Sequence, residues 1–140
     1  MNNNATFQKH GVSPKEAAMQ LLLSTDILKG YVPKVHSYDA NEGILIMEKI
    51  NEMSVSDMYG EHMSDVHTEV VDQIRNIIQV LYDNGIEYPD ITGYNFIEKN
   101  AKVYIIDMEH SRYNNDINSY DPYILRFIKG DATEWNERFM

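Results

Sequence analysis

The stretch YPDITGYNFIEKNAKVYIIDMEH, residues 88–110, carries the most informative pattern of this 140-residue chain. Two runs of β-forming residues, 96–98 and 103–106, flank the turn sequence KNA and predict a β-hairpin. Asn95 comes directly before the first strand, Asp107 directly after the second, and Asp90 lies on the loop that leads into the hairpin. We therefore expect these three polar side chains to face the same cleft.

The residue types at these positions suit a metal-dependent reaction. Amide and carboxylate oxygens, as in Asn95 and Asp107, are ligands that hard divalent cations prefer. A carboxylate near the metal, as expected for Asp90, can orient a hydroxyl group or accept its proton. Each residue taken singly also has a purely structural explanation, because Asp and Asn commonly cap turns and begin or end strands. Both interpretations stay open at this level.

The chain before this stretch predicts two helices and another hairpin. Ser13 is a good N-cap, Pro14 suits the first helical position, and Glu16 completes a capping box. The helix that follows should bury an apolar stripe and end at Gly30; the stripe comprises Ala17, Leu21, Leu22, Thr25 and Leu28. A hairpin is expected within residues 31–50, across the turn-rich sequence DANEG.

The longest helix should run from about Ser64 to Asn84, with Gly85 ending it. Its apolar face is Val66, Val70, Val71, Ile74, Ile77, Ile78 and Leu81. A final helical stretch is expected after Asp121. The length suits one domain, and the order of helices and hairpins predicts an α+β fold.

Composition excludes several classes of function. The formal net charge of −10 disfavours nucleic acid and anionic membranes as partners. The absence of cysteine removes disulfides, zinc–thiolate sites and thiol catalysis. The polar first twelve residues predict a flexible N-terminus and do not resemble a signal peptide, so we expect a cytoplasmic protein. The five histidines are dispersed along the chain and are expected to be surface groups rather than metal ligands.

The spacing of Asp90, Asn95 and the Ile105-Ile106-Asp107 triplet resembles the catalytic loop and metal-binding motif of the protein-kinase-like fold. The sequence IIDMEHSRYN, with Glu109 where protein kinases carry glycine, is more similar to small-molecule and atypical kinases. The resemblance implies that Asp90 is the catalytic aspartate. It also implies that Asn95 and Asp107 hold Mg²⁺ against the phosphates of ATP.

Other segments extend this resemblance in the order the family requires. ILIMEKI, residues 44–50, is similar to the strand and hinge that hold adenine, with Met47 as gatekeeper. The backbone of Glu48 and Ile50 would then face the base. Tyr120-Asp121 resembles the buried aspartate that braces the catalytic loop.

The resemblance implies a single truncated kinase-like domain over residues 1–140. Residues 1–12 would be the flexible N-terminus, 13–50 a remnant of the N-lobe with one helix, a β-hairpin and the hinge, and 51–140 the C-lobe. A full kinase has a glycine-rich strand pair and a lysine before its first helix, whereas here Gly11 and Lys9 are the lone glycine and lysine. We expect that Lys9 does not replace the phosphate-gripping lysine. Glu16 stands where the partner of that lysine would lie, but its capping role explains it without catalysis.

Two functions follow from the resemblance. One is a minimal kinase that binds ATP and Mg²⁺ and transfers phosphate to a hydroxyl of a protein or a small molecule. The alternative is a pseudokinase, or kinase mimic, that acts through a host protein partner or as a homodimer. Short chains of this kind occur in viruses, which suits either function. A third interpretation is an α+β binding module whose kinase-like order is coincidental.

Overall fold

The computed structural model describes residues 6–140 and shows an α+β fold of two unequal parts. The first part contains three strands and one helix, and the second part contains the remaining elements up to the C-terminal 3₁₀ turn. The elements are β1 (Thr6–Lys9), α1 (Pro14–Thr25), β2 (Val35–Asp39), β3 (Ile44–Glu48), α2 (Val55–Tyr59), α3 (Thr68–Asp83), β4 (Ile86–Glu87), β5 (Phe96–Lys99), β6 (Lys102–Ile105), β7 (Arg112–Tyr113) and α4 (Pro122–Ile128).

The smaller part is a three-stranded antiparallel sheet in the order β1-β3-β2, with α1 packed against it. β1 pairs with β3 from Thr6 opposite Glu48 to Lys9 opposite Leu45. The expectation of a flexible segment over residues 1–12 is therefore wrong for residues 6–9, which form a full edge strand. The remainder of that expectation, for residues 1–5, lies outside the described residues.

The apolar stripe predicted for helix α1 is only partly confirmed, because Ala17 and Leu28 are buried but Leu21 and Thr25 are exposed. Leu21 is 49% exposed, whereas Leu23 is fully buried in the main core. Gln20 is also buried, and its Nε2 donates to the carbonyl of Pro33 and to Sδ of Met47. The helix lies between the small sheet and the main core, so it buries residues on both sides rather than along one stripe.

The larger part is built around α3, whose predicted apolar face is buried in the main core. The helix begins at Thr68 rather than Ser64, because Met63–Asp65 form a separate 3₁₀ turn. Hairpin β5–β6 packs against this core through Phe96, Val103 and Ile105. Its two-residue turn, Asn100-Ala101, has positive φ at both positions, the conformation that suits the twist of a tight hairpin.

Close packing also positions the loop before this hairpin. Gly93 lies on that loop, and a side chain there would overlap the hydroxyl of Ser56 on α2. Only glycine permits this approach. Helix α2 thereby holds the loop that carries Asp90 and Asn95.

None of the helices in the described part of the chain has the length and hydrophobicity of a membrane-spanning segment.

Candidate functional site

A cavity of about 360 Å³ lies between the small sheet and hairpin β5–β6. We call it the interlobe cavity. Its lining comes from both parts of the fold and is apolar over much of its area, with Phe7, Met47, Ile50, Ile97 and Ile106 among the residues that form it. Several polar side chains line it as well, and those on which the site depends are Lys9, Asn95 and Asp107. An apolar cleft with a few convergent polar groups is the usual form of a small-molecule site.

Lys9 connects the two parts of the fold across this cavity. Its Nζ lies 2.5 Å from Oε2 of Glu16 on α1 and 3.1 Å from Oδ1 of Asp107 after β6. Burial lowers the pKa of Lys9, but hydrogen bonding to Glu16 and the charge of Asp107 outweigh it, so the net pKa is raised and the ammonium stays charged. We expect from the sequence that Lys9 does not replace the phosphate-gripping lysine, but its position in the cavity beside Asp107 favours such a role.

The expected capping box at Glu16 is also wrong in its side-chain half. The Glu16 backbone N–H donates to Oγ of Ser13, as a capped helix requires. The Glu16 carboxylate instead binds Lys9, and its side chain is only 5% exposed. Ser13 alone therefore caps α1, and Glu16 serves as the counter-ion of Lys9.

Asn95 and Asp107 both line the interlobe cavity, at the two ends of the hairpin that connects them. Nδ2 of Asn95 donates to the carbonyl of Asp90 at 2.7 Å, which directs its Oδ1 away from that carbonyl. Oδ1 of Asp107 accepts from Lys9 and from the Glu109 N–H, which leaves Oδ2 for a further partner. One amide oxygen and one carboxylate oxygen fit a magnesium ion.

Within residues 6–140, no cluster of three or more His, Cys, Asp and Glu side chains is placed to hold a metal ion. A magnesium ion at Asn95 and Asp107 would therefore need further oxygen ligands from phosphate or water. Mg²⁺ commonly binds in this way, through one or two protein ligands and the phosphates of its nucleotide.

Asp90 does not line the interlobe cavity with the other predicted residues. Its Oδ2 lies 2.9 Å from Nδ1 of His110, and its side chain is 14% exposed. His110 in turn packs against the ring of Phe139, with centroids 5.0 Å apart. The Asp90 carboxylate is therefore hydrogen-bonded to a neighbouring imidazole, next to the cavity rather than inside it.

The loop around Asp90 is braced from the C-terminal segment. Asn136, buried, donates from Nδ2 to the carbonyl of Pro89 and from its backbone N–H to the carbonyl of Ile91. The same Nδ2 contacts Oδ2 of Asp121. The bracing predicted for Asp121 is thus indirect, since Asn136 makes the contacts with the loop. Tyr88 adds a bond from its hydroxyl to the carbonyl of Asp107.

The segment expected to face adenine, Glu48 and Ile50, lines the same cavity. The Glu48 N–H donates to the carbonyl of Lys34, and the Ile50 carbonyl accepts from the Glu52 N–H. These two backbone groups are used within the protein. Met47 is buried beside them, where its sulfur contacts Gln20.

Sequence reasoning missed His110 and Asn136 and did not expect the phosphate-gripping role for Lys9. Lys9 is 98 positions from Asp107 in the chain, and only the pairing of β1 with β3 brings the two together. His110 and Asn136 reach the loop of Asp90 through tertiary contacts that carry no local signal. The neighbourhood of Lys9 and Glu16 on either side of a helix N-cap was the one visible hint.

The family model of the RIO domain matches residues 6–134 of the chain. Two curated relatives are each 26% identical. One is the EKC/KEOPS complex subunit BUD32 of Enterocytozoon bieneusi, aligned over 120 residues that cover 78% of this chain and 59% of the relative. The other is the KEOPS complex subunit Bud32 of Pyrococcus abyssi, aligned over 110 residues that cover 76% and 50%. The chain spans about half the length of these relatives.

The fold is similar to that of a solved kinase structure. The Cydia pomonella granulovirus kinase PK-1 superposes with a TM-score of 0.60 at 16% identity, covering 83% of this chain and 46% of that one. At this identity the likeness concerns the fold alone. It confirms the expectation of a kinase-like fold with reduced lobes.

Proposed function

Since this chain belongs to the RIO-domain family, which is kinase-like, we propose that it binds magnesium-ATP in the interlobe cavity and transfers phosphate to a hydroxyl group. The observation that carries this proposal is the contact of Lys9 with both Glu16 and Asp107. A lysine paired with a helix carboxylate and placed beside a metal-binding aspartate is the arrangement that grips ATP phosphates in kinase-like enzymes.

In this proposal the apolar walls of the interlobe cavity hold the base. Met47, Ile50 and Ile97 supply flat apolar surface, and a cavity of about 360 Å³ is within the range of small-molecule sites. Lys9 donates hydrogen bonds to phosphate oxygens, and Glu16 keeps its ammonium in position. Magnesium, when bound at Asn95 and Asp107, would neutralise charge on the phosphates.

Asp90 is proposed to orient the acceptor hydroxyl and to receive its proton. The hydroxyl oxygen attacks the γ-phosphorus, a new P–O bond forms, and the bond to the bridging oxygen breaks so that ADP leaves. For this step the Asp90 carboxylate must turn from Nδ1 of His110 toward the acceptor, or accept from both. Asn136 holds the backbone on either side of Asp90 and so limits its movement.

Thermal unfolding with and without magnesium-ATP tests the binding step. A ligand at a hundredfold excess over its Kd adds ~2.7 kcal/mol to the stability of the folded state. That corresponds to an upward shift in Tm of roughly 10 °C for a domain of this size. We expect the shift to need magnesium and to be lost in Asp107→Asn. The matched control is Asp83→Asn, an exposed residue at the end of α3, which should keep the shift.

Release of ADP from ATP tests the transfer step. Asp90→Ala should retain the thermal shift but lose turnover, because Asp90 lies outside the interlobe cavity. Turnover that is unchanged in Asp90→Ala would rule out its role as the catalytic aspartate. The absence of any shift with magnesium-ATP in the native chain would refute nucleotide binding.

A second candidate function is that of a subunit in a protein complex. It is supported by the relatives from E. bieneusi and P. abyssi, both of which are named as complex subunits. The chain also exposes apolar side chains on several elements, among them Leu21, Met53 and Tyr113. Light scattering at micromolar concentration tests the simplest form, a homodimer, and a strictly monomeric protein would exclude that form.

A further inference from the structure

A second cavity, of about 590 Å³, shares no lining residue with the interlobe cavity. We call it the arginine pocket, and define it by His110, Arg112, Arg138, Glu87, Asp121 and Phe139. His110 connects it to the proposed reaction site, because Nδ1 of His110 lies 2.9 Å from Oδ2 of Asp90. The pocket is therefore one side chain away from the carboxylate that is proposed to meet the acceptor.

Two guanidinium groups line this pocket, and a buried carboxylate holds each of them. Nε of Arg112 lies 2.8 Å from Oε1 of Glu87, and Nη1 of Arg138 lies 2.7 Å from Oδ2 of Asp121. The Glu87 and Asp121 side chains are each 6% exposed, whereas the two arginine side chains are more than half exposed. Oε2 of Glu87 also accepts from the Asp121 N–H, so one network positions both arginines.

The remaining oxygen atoms of these carboxylates are occupied from within the protein. Glu87 also accepts from Nδ2 of Asn114, and Asp121 accepts from the Tyr123 N–H and from Nδ2 of Asn136. Burial opposes ionisation of both groups, but these donors and the arginines outweigh it and lower both pKa values. The carboxylates are thus buried and fully bonded, and the arginines present the exposed charge.

Each guanidinium has donors left for a ligand. An arginine side chain carries five N–H donors in a planar fork. Within residues 6–140, Arg112 uses Nε and Arg138 uses Nη1 for side-chain hydrogen bonds, and neither makes another. The guanidinium of Arg138 also packs over the ring of Phe139, at 5.3 Å from its centroid. Preorganised arginine forks of this kind match phosphate and carboxylate oxygens.

The placement is notable against the charge of the whole chain. There are only four arginines, and 22 acidic residues outnumber 12 basic ones. Two of the four arginines nevertheless line one pocket beside Asp90. The general field of this protein repels anions, so a site that accepts one must build its own cationic surface. The arginine pocket has such a surface.

We propose that the arginine pocket binds the oxyanion group, phosphate or carboxylate, of the molecule whose hydroxyl is phosphorylated. This inference rests on the proposed function and names the acceptor as a small hydroxyl compound that carries an anionic group. A volume of about 590 Å³ suits a small molecule rather than an extended peptide. With its anion on Arg112 and Arg138, such a molecule reaches past His110 toward Asp90.

The test uses the arginines themselves as reporters in the intact chain. The Nε–H signals of Arg75, Arg112, Arg126 and Arg138 are followed by NMR while inorganic phosphate is added. We expect saturable shifts for Arg112 and Arg138 only. Arg75, which is bonded to Asp72 and to the Phe127 carbonyl, and Arg126, on the surface of α4, are internal controls. Absence of saturable shifts at Arg112 and Arg138, or equal shifts at all four arginines, would overturn the proposal.

Variants then test the affinity. Arg138→Gln should weaken phosphate binding about tenfold, the loss of one charge-assisted hydrogen-bonding group. Arg126→Gln removes the same charge from an exposed position and should change the affinity less than twofold. Equal affinities in both variants would contradict the assignment. The measurement on the native chain needs no substitution, so it stands even where a variant folds poorly.

Three further probes identify the chemistry of the anion. Glycerol 3-phosphate, glycerate and uncharged glycerol share a hydroxyl-bearing skeleton. We expect the two anions, but not glycerol, to shift the Nε–H signals of Arg112 and Arg138. The anion that binds more tightly identifies whether the pocket prefers phosphate or carboxylate. Binding of glycerol equal to that of the anions would refute the proposal. Retained binding of magnesium-ATP without arginine shifts defeats this inference alone. Arginine shifts without any binding of magnesium-ATP defeat the proposed function, and with it the role of the pocket in an acceptor.

Discussion

Replacing Lys9 with methionine should destabilise the protein even when no nucleotide is present. Methionine keeps most of the apolar stem of the lysine and removes the ammonium group. In the native protein this group lies 2.5 Å from Glu16, whose side chain is 5% exposed. In the variant the Glu16 carboxylate stays buried without its counter-ion, which is the costly way to break an ion pair.

The expected loss follows from these burial values. Breaking a buried pair by removing one partner costs about 3–5 kcal/mol. We take the lower end, about 3 kcal/mol, because the Lys9 and Asp107 side chains are 25% and 30% exposed. For a chain of 140 residues this corresponds to a decrease in Tm of roughly 10 °C.

Chemical denaturation of Lys9→Met, Glu16→Gln and the double variant forms the assay. The double variant should recover part of the loss, because it leaves no unpaired charge, and the cycle isolates the interaction between the two side chains. Lys15→Met makes the same change at an exposed position of α1 and should stay within about 0.5 kcal/mol of the native chain.

The pH dependence supplies a second check. The pKa of Lys9 is raised above 10.5, because its bonds to Glu16 and Asp107 outweigh the effect of burial. The contribution of Lys9 to the free energy of unfolding is therefore complete below pH 10.5, and it is lost only as the pH rises through the higher pKa of the folded state. The difference in the free energy of unfolding between the native chain and Lys9→Met should be the same at pH 6 and pH 9. A loss below about 1 kcal/mol, or a double variant no more stable than Lys9→Met, would contradict a buried, unpaired Glu16 and show that water reaches its carboxylate when β1 loses its lysine.

Two further predictions concern the packing of the core and the loss of stability at acidic pH. Leu23→Ala should lower the free energy of unfolding by about 2–5 kcal/mol, because the Leu23 side chain is fully buried. Leu21→Ala should lower it by less than about 0.5 kcal/mol, because Leu21 is 49% exposed. Equal losses in denaturant titrations would contradict the observed buried face of α1. The pKa of Glu87 is lowered in the folded state. Its contribution to the free energy of unfolding is therefore present above pH 4.5, and it is lost as the pH falls through the lower pKa of the folded state. Glu87→Gln should therefore show a smaller fall in stability between pH 5 and pH 3 than the native chain, and parallel curves would contradict this.

The sequence predicted best the elements whose signals are local. Hairpin β5–β6 was predicted within one residue at each strand end, since alternating β-formers and a tight turn define it. The apolar face of α3 was confirmed, because one helix packed on one core has a single buried stripe. Helix α1 has cores on two sides, so the predicted stripe was right for Ala17 and Leu28 but wrong for Leu21. Gln20 is buried there because Pro33 and Met47 accept its amide hydrogens.

In the candidate site, too, the sequence could place only the residues that are marked by local signals. Asn95 and Asp107 could be assigned to one cleft because a short hairpin connects them. Lys9, His110 and Asn136 could not, because their partners are distant in the chain or lie on loops whose path the sequence does not specify. A single strand, β1, is enough to place the lysine beside α1. One strand at the edge of the sheet delivers its last residue to Glu16 and Asp107.

The charges around Lys9 indicate what the proposed binding of ATP would require at the interlobe cavity. One ammonium faces two carboxylates, Glu16 and Asp107, so this part of the interlobe cavity carries an excess of negative charge. The phosphates of free ATP would be repelled by it, and the net charge of −10 adds to that repulsion. Under the proposed function, a divalent cation at Asn95 and Asp107 would reverse the sign of the local charge, so that Lys9 could donate to the phosphates without net repulsion. We therefore expect nucleotide binding to require magnesium, because the cation would supply the attraction that the two carboxylates oppose.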